Sequence, residues 1–148
     1  MTRYAFLCGS APENFRQKKL CDMHDFLASE AGGAWREEDI TIFPNGVHEL
    51  MLECALNSAF DEFAGDGECA LEEVSEENAG CAVVLLYFCT QTAPSDTDET
   101  FWLGGQELRK DVIAYYEGLA KRCGVSLQVI FDSDREMVGE DALGYEAV

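Results

Sequence analysis

Apolar residues along this chain fall into two alternating kinds of stretch: short blocks of the length of a strand, and longer ones with helical spacing. Arg3–Cys8 reads as a first strand, closed by Gly9-Ser10-Ala11-Pro12. From Glu13 to Ala31, Leu20, Met23, Phe26 and Leu27 recur at helical spacing, and Gly32-Gly33 ends that helix. Asp39–Phe43 alternates Ile40 and Ile42 as a second strand, stopped by Pro44-Asn45-Gly46. Asn45 is placed to cap a second helix, whose apolar face would be Val47, Leu50, Met51, Cys54 and Phe60. Cys81–Phe88 is the most continuous apolar run, the pattern of a strand buried on both faces. A polar loop over Thr90–Thr100 leads to a third helix, Gln106–Cys123, striped by Leu108, Val112, Tyr115, Tyr116, Leu119 and Cys123. Val125–Phe131 is the fourth strand.

Strands and helices that alternate in this way, with helices long enough to cross back over a sheet, predict a doubly wound α/β fold. The expected sheet is mostly parallel, of about four strands in the order 2-1-3-4, with helices on both faces. Asp61–Gly80 interrupts the rhythm with eight acids and no base, and reads as an acidic insertion with one short helix near Ala70–Glu77. The chain has 148 residues, 47% of them hydrophobic, which suits a single domain over 1–148 with a substantial core.

Charge narrows the choice of partners. With 29 acids against 10 bases the net charge is −19, so nucleic acid and anionic membrane surfaces are repelled. The seven cysteines (Cys8, Cys21, Cys54, Cys69, Cys81, Cys89, Cys123) form no C-x-x-C pair and fall mostly in apolar segments. They read as reduced thiols of a cytoplasmic protein rather than a disulfide framework or a zinc site. Tyr4–Cys8 is too short for a signal sequence, and no apolar run approaches the ~18 residues of a membrane span.

Candidate chemistry lies where two apolar runs stop. Ala82–Phe88 ends in Cys89-Thr90-Gln91-Thr92, and Val125–Phe131 ends in Asp132-Ser133-Asp134-Arg135. If these strands are parallel neighbours, both endings share the carboxyl edge of one sheet, where open α/β folds place their sites. Gly9-Ser10 lacks the G-x-G-x-x-G and G-K-[ST] patterns of phosphate loops, and no acidic pair follows the first strand as a phospho-receiver needs. No cofactor is implied.

The order of elements, together with Leu20-Cys21-Asp22, Phe26-Leu27 and Glu38-Asp39-Ile40-Thr41-Ile42-Phe43, resembles the caspase-like peptidases, the metacaspase group in particular. In that family the third strand ends in Y-x-S-G-H-G, which carries the general base, and the fourth in D-S-C-H-S-G, which carries the nucleophile. The matching text here is Tyr87-Phe88-Cys89-Thr90-Gln91-Thr92 and Asp132-Ser133-Asp134-Arg135-Glu136. Gln91 therefore stands at the histidine position and Asp134 at the cysteine position. A glutamine amide takes up no proton, and a carboxylate lacks a thiolate's nucleophilicity toward a peptide carbonyl. The resemblance thus implies an inactive pseudo-peptidase that acts by protein binding or regulation.

It also implies a role for Asp132, which in metacaspase-like members holds a basic side chain; Asp134 and Glu136 would add to that acidic site. The family continues into two further strands that the text after Phe131 does not supply. The Val125–Phe131 edge is then expected to meet a protein partner or a second copy, together with the tail Met137–Val148.

Two alternatives remain open on the residues. Cys89, two positions before Gln91, is the first candidate for a relocated nucleophile, in a divergent cysteine endopeptidase. It needs a base, and His24 lies within the first helix while His48 is two strands away, roughly 10 Å at ~4.8 Å per strand. The chain is otherwise an unrelated small doubly wound binding domain. Asp96, Asp98 and Glu99 are hard oxygen ligands that suit Ca²⁺, though their spacing is not that of an EF-hand.

Overall fold

A computed structural model describes residues 2–10, 17–64, 82–90 and 94–133. Four strands, β1 (Thr2–Gly9), β2 (Ile40–Phe43), β3 (Ala82–Thr90) and β6 (Val125–Ser133), form one sheet. Their order is β2-β1-β3-β6 and every pairing is parallel. Cys8 lies opposite Phe43 and Phe88, and Phe88 opposite Phe131, so the carboxyl ends of all four strands line up.

The side-chain alternation of a strand sorts the apolar residues into two cores. Ala5 and Leu7 of β1 with Leu85, Tyr87 and Cys89 of β3 face one side, covered by Leu20 and Leu27 of α1 (Lys18–Ala28). Phe6 and Cys8 of β1 with Val84, Leu86 and Phe88 of β3 face the other. Helices α2 (Glu49–Ala64) and α3 (Lys110–Cys123) cover that second side through Leu52, Leu56, Phe60, Val112, Ile113 and Tyr116. Burial on both faces is why β3 reads as an unbroken apolar run.

The last expected helix begins too early. Gln106–Arg109 is not helical: it forms β5, paired antiparallel with β4 (Thr100–Leu103). Gly104 and Gly105 join them with φ of 54° and 85°, the two left-handed positions that a two-residue hairpin of the I′ kind demands. Leu108 is buried as expected, but from the hairpin. In α3 itself Ile113 and Ala120 are buried and Tyr115 is exposed, and Gly124 in the left-handed conformation ends the helix.

The second helix also differs. Asn45 does not cap it; Asn45 bridges to Ser10, and the Leu50 amide donates to His48 Nδ1 at 3.3 Å, so His48 takes the capping place. The later start rotates the buried face to Leu52, Leu56, Ala59 and Phe60 and leaves Leu50, Met51 and Cys54 exposed. Helix α1 is shorter than expected: Gln17 before it is extended, and it stops at Ala28 with Ser29, not Gly32-Gly33, at its end. Residues 13–16, the short helix near Ala70–Glu77 and the tail Met137–Val148 lie outside the described residues. Cys8, Cys21, Cys54 and Cys89 are free thiols, whereas Cys123 is disulfide-bonded, which corrects the reading of every cysteine as reduced. Scattered spacing carries no pairing information, so the bond was not legible. No described helix is long and apolar enough to cross a membrane.

Candidate functional site

The two strand endings singled out in the sequence do meet. Cys89 lies opposite Asp132, and Thr90 opposite Ser133, at the carboxyl edge of neighbouring parallel strands. The two sides of this edge are built differently. On the side of α2 and α3, Phe101 of the hairpin packs on Phe88 and Phe131, with ring centroids 4.9 and 5.0 Å away. That aromatic trio closes the side with apolar contact. The hairpin tip is held down as well: a Cβ on Gly46 would stand 2.5 Å from Leu103 O, and one on Gly104 2.8 Å from Asn45 O.

On the α1 side the edge is polar. Gln17, just before α1, is buried, and its amide donates to Cys89 Sγ at 3.2 Å while its Oε1 accepts the Ser10 N–H at 3.3 Å. Glycine at position 9 makes room for this amide, since a Cβ there would lie 2.3 Å from Gln17 Oε1. Gln17 thus ties the ends of β1 and β3 together, and the Cys89 sulfur is fully buried beneath it.

Asp132 is the centre of the charged part. Its Oδ2 accepts the Tyr87 hydroxyl at 2.7 Å, and its Oδ1 accepts the Ser133 N–H at 2.8 Å and Lys19 Nζ at 3.2 Å. Lys19 also donates to Ser133 O, and Thr90 Oγ1 donates to Asp132 O at 3.4 Å. Burial raises the affinity of this carboxyl for a proton, but the bonds from Tyr87, Lys19 and the Ser133 amide outweigh it and hold Asp132 below the usual carboxylate range. Tyr87 moves the other way: burial first, then its bond to the Asp132 carboxylate and the nearby Cys89, push its hydroxyl well above the ordinary tyrosine value. Tyr87 is therefore a committed donor and Asp132 a committed acceptor.

The histidines are used elsewhere. His24 Nδ1 is 3.2 Å from Asp25 and Nε2 is 3.9 Å from Glu37, and His48 caps α2. Gln91, Asp134 and Glu136 lie outside the described residues. Of the calcium candidates, Asp98 accepts the Ser95 N–H at 2.8 Å within its own loop. Among the described residues no three His, Cys, Asp or Glu side chains, Asp96, Asp98 and Glu99 included, are grouped to hold a metal ion.

Sequence reasoning found Cys89 and Asp132 but missed Gln17, Tyr87 and Lys19. One signal was available for Lys19. Lys18 and Lys19 occupy the first turn of α1, which contains no acid, although the helix dipole disfavours cations there. Such a pair calls for acceptors outside the dipole's reach; Lys18 finds Asp22, and Lys19 finds Asp132. No family model, no curated protein and no solved structure matches this chain.

Proposed function

We propose that this chain is a caspase-like domain that acts by binding rather than by cleavage, and that its binding edge is the one carrying Asp132. The observation that carries the reading is the state of Cys89. Its sulfur is fully buried and receives the Gln17 amide, while His24 and His48 each have local partners. A peptidase thiol needs exposure to a substrate carbonyl and an imidazole within hydrogen-bond reach. The substitutions at Gln91 and Asp134 point the same way. What remains at the edge is a hydrogen-bonded carboxylate beside a backbone carbonyl, an acceptor pair suited to the basic side chain that the resemblance assigns to Asp132.

The test is direct. Purified protein is assayed on peptides with Arg, Lys or Asp at the scissile position, with and without Ca²⁺; no turnover is expected, and Cys89 should react slowly with thiol reagents. Turnover that disappears in Cys89→Ala would replace this reading with that of a divergent peptidase.

A partner contact along β6 belongs to the same proposal. β6 is an outer strand of the described sheet, and Ile130 on it is exposed. At a charge of −19, a second copy would dock more tightly as salt screens the repulsion. Light scattering across a salt series reads this out, and a monomer at every salt concentration removes the second copy from the proposal.

A further inference from the structure

The Asp132 site is already occupied by the protein's own cation. Lys19 Nζ bridges Asp132 Oδ1 and Ser133 O, which shows the chemistry this acceptor pair takes: an ammonium or guanidinium group. The two side chains of the pair are 40% and 39% exposed, so solvent and other cations reach the contact. A half-exposed ion pair of this kind is weak. Lys19 also stands in the first turn of α1, where the helix dipole gives it no support. By contrast, the partners that orient Asp132 from below, the Tyr87 hydroxyl and the Ser133 amide, belong to the sheet and do not depend on Lys19.

We infer that Lys19 is an internal occupant of the site, a latch that a partner's Lys or Arg side chain must displace to bind. The inference rests on the reading of Asp132 as the binding site and adds its regulation. When Lys19 leaves the carboxylate, α1 stays seated through Leu20 and Leu27, and Asp132 keeps its acceptor geometry toward Tyr87. An Arg side chain competes well, since its rigid planar fork is pre-organised to engage both acceptors, which Lys19 reaches only from the end of a flexible four-carbon stem.

The experiment titrates acetyl-Gly-Arg-Gly amide into full-length wild type, Lys19→Met, Lys19→Gln and Asp132→Asn at low ionic strength. The same peptide with citrulline in place of Arg is the control, and thermal unfolding shows that each variant is folded. Removing the latch should tighten Arg-peptide binding roughly two- to fivefold, the range for a half-exposed ion pair. Asp132→Asn and the citrulline peptide should abolish binding. In wild type, saturating peptide should also speed reductive methylation of Lys19.

If wild type and both Lys19 variants bind equally and only Asp132→Asn fails, the binding site stands and the latch is wrong. If no folded form binds the Arg peptide, the Asp132 reading itself falls, and the latch with it.

Discussion

Tyr87 donates its hydroxyl proton to Asp132 at 2.7 Å across two parallel strands. The residue of β3 directly opposite Asp132 is Cys89, not Tyr87, so the phenol leans forward along its strand past the sulfur to reach the carboxylate. This bond makes the strand endings one polar unit, because the same carboxylate also receives Lys19 and the Ser133 amide.

A pH dependence follows. Asp132 is held below the ordinary carboxylate range when folded, so its ionised form stabilises the fold. That contribution is fully present above the unfolded value of about 4 and is lost as pH falls through the folded one. Urea unfolding of wild type from pH 6 downward should show this loss. Tyr87→Phe removes the largest of the bonds that lower Asp132, so NMR titration should find its carboxyl moved up and the acid-side loss of stability reduced.

Gly9 predicts a second effect at the same edge. An added methyl would stand 2.3 Å from Gln17 Oε1 and 2.5 Å from Leu20 Cδ1. Gly9→Ala should therefore push the Gln17 amide off Cys89, at a cost of about 1–3 kcal/mol as overpacking usually gives. The diagnostic readout is thiol labelling in native buffer: Cys89 should react faster in Gly9→Ala than in wild type, while labelling of exposed Cys54 stays unchanged.

Much of the fold was legible because it rests on periodicity. The alternation that sends Tyr87 and Cys89 to one face and Phe88 to the other is a property of strands, and the runs that revealed β1, β3 and β6 place those strands correctly. The hairpin was hidden because Leu108 and Val112 are spaced like one helical face, and a four-residue strand adds too little pattern to compete. Gly104-Gly105 between alternating residues was the turn signal that should have outweighed it. The site was half legible. Cys89 and Asp132 close their strands, but Gln17 and Lys19 reach the edge only through the way α1 packs back across the sheet, which no local pattern encodes.

Tyr116 supplies an alkaline counterpart to Asp132. Its hydroxyl donates to Asn57 Oδ1 at 2.7 Å and lies 3.3 Å from Glu53 O, which ties α3 to α2. Burial first, then the charge of Glu53, push it up to about 12. An acid whose folded pKa is raised stabilises the fold while protonated, so this contribution holds below the unfolded value of about 10 and fades as pH rises toward the folded one. Tyr116→Phe should lose about 1 kcal/mol at neutral pH, the usual worth of such a bond, and show less alkaline destabilisation than wild type.

Two glycines seat the hairpin against the turn after β2. Gly46 and Gly104 both have positive φ, 84° and 54°, and each meets the other's segment so closely that a Cβ would collide with backbone. Gly105, next in the turn, has φ 85° but nothing within 4 Å of an added Cβ. The three glycines therefore separate two causes of destabilisation. Gly105→Asn carries only the backbone cost, which asparagine bears better than most residues, and should lower stability by less than about 1 kcal/mol. Gly46→Ala and Gly104→Ala carry that cost plus a clash that no side-chain rotation relieves, and each should lose about 1–3 kcal/mol. Seating also governs Phe101, which closes the edge against Phe88 and Phe131. Chemical denaturation of the three variants, with near-ultraviolet circular dichroism to follow the aromatic trio, measures both. Equal losses in all three would mean that the tip does not press on the turn after β2, and that the trio alone holds the hairpin down.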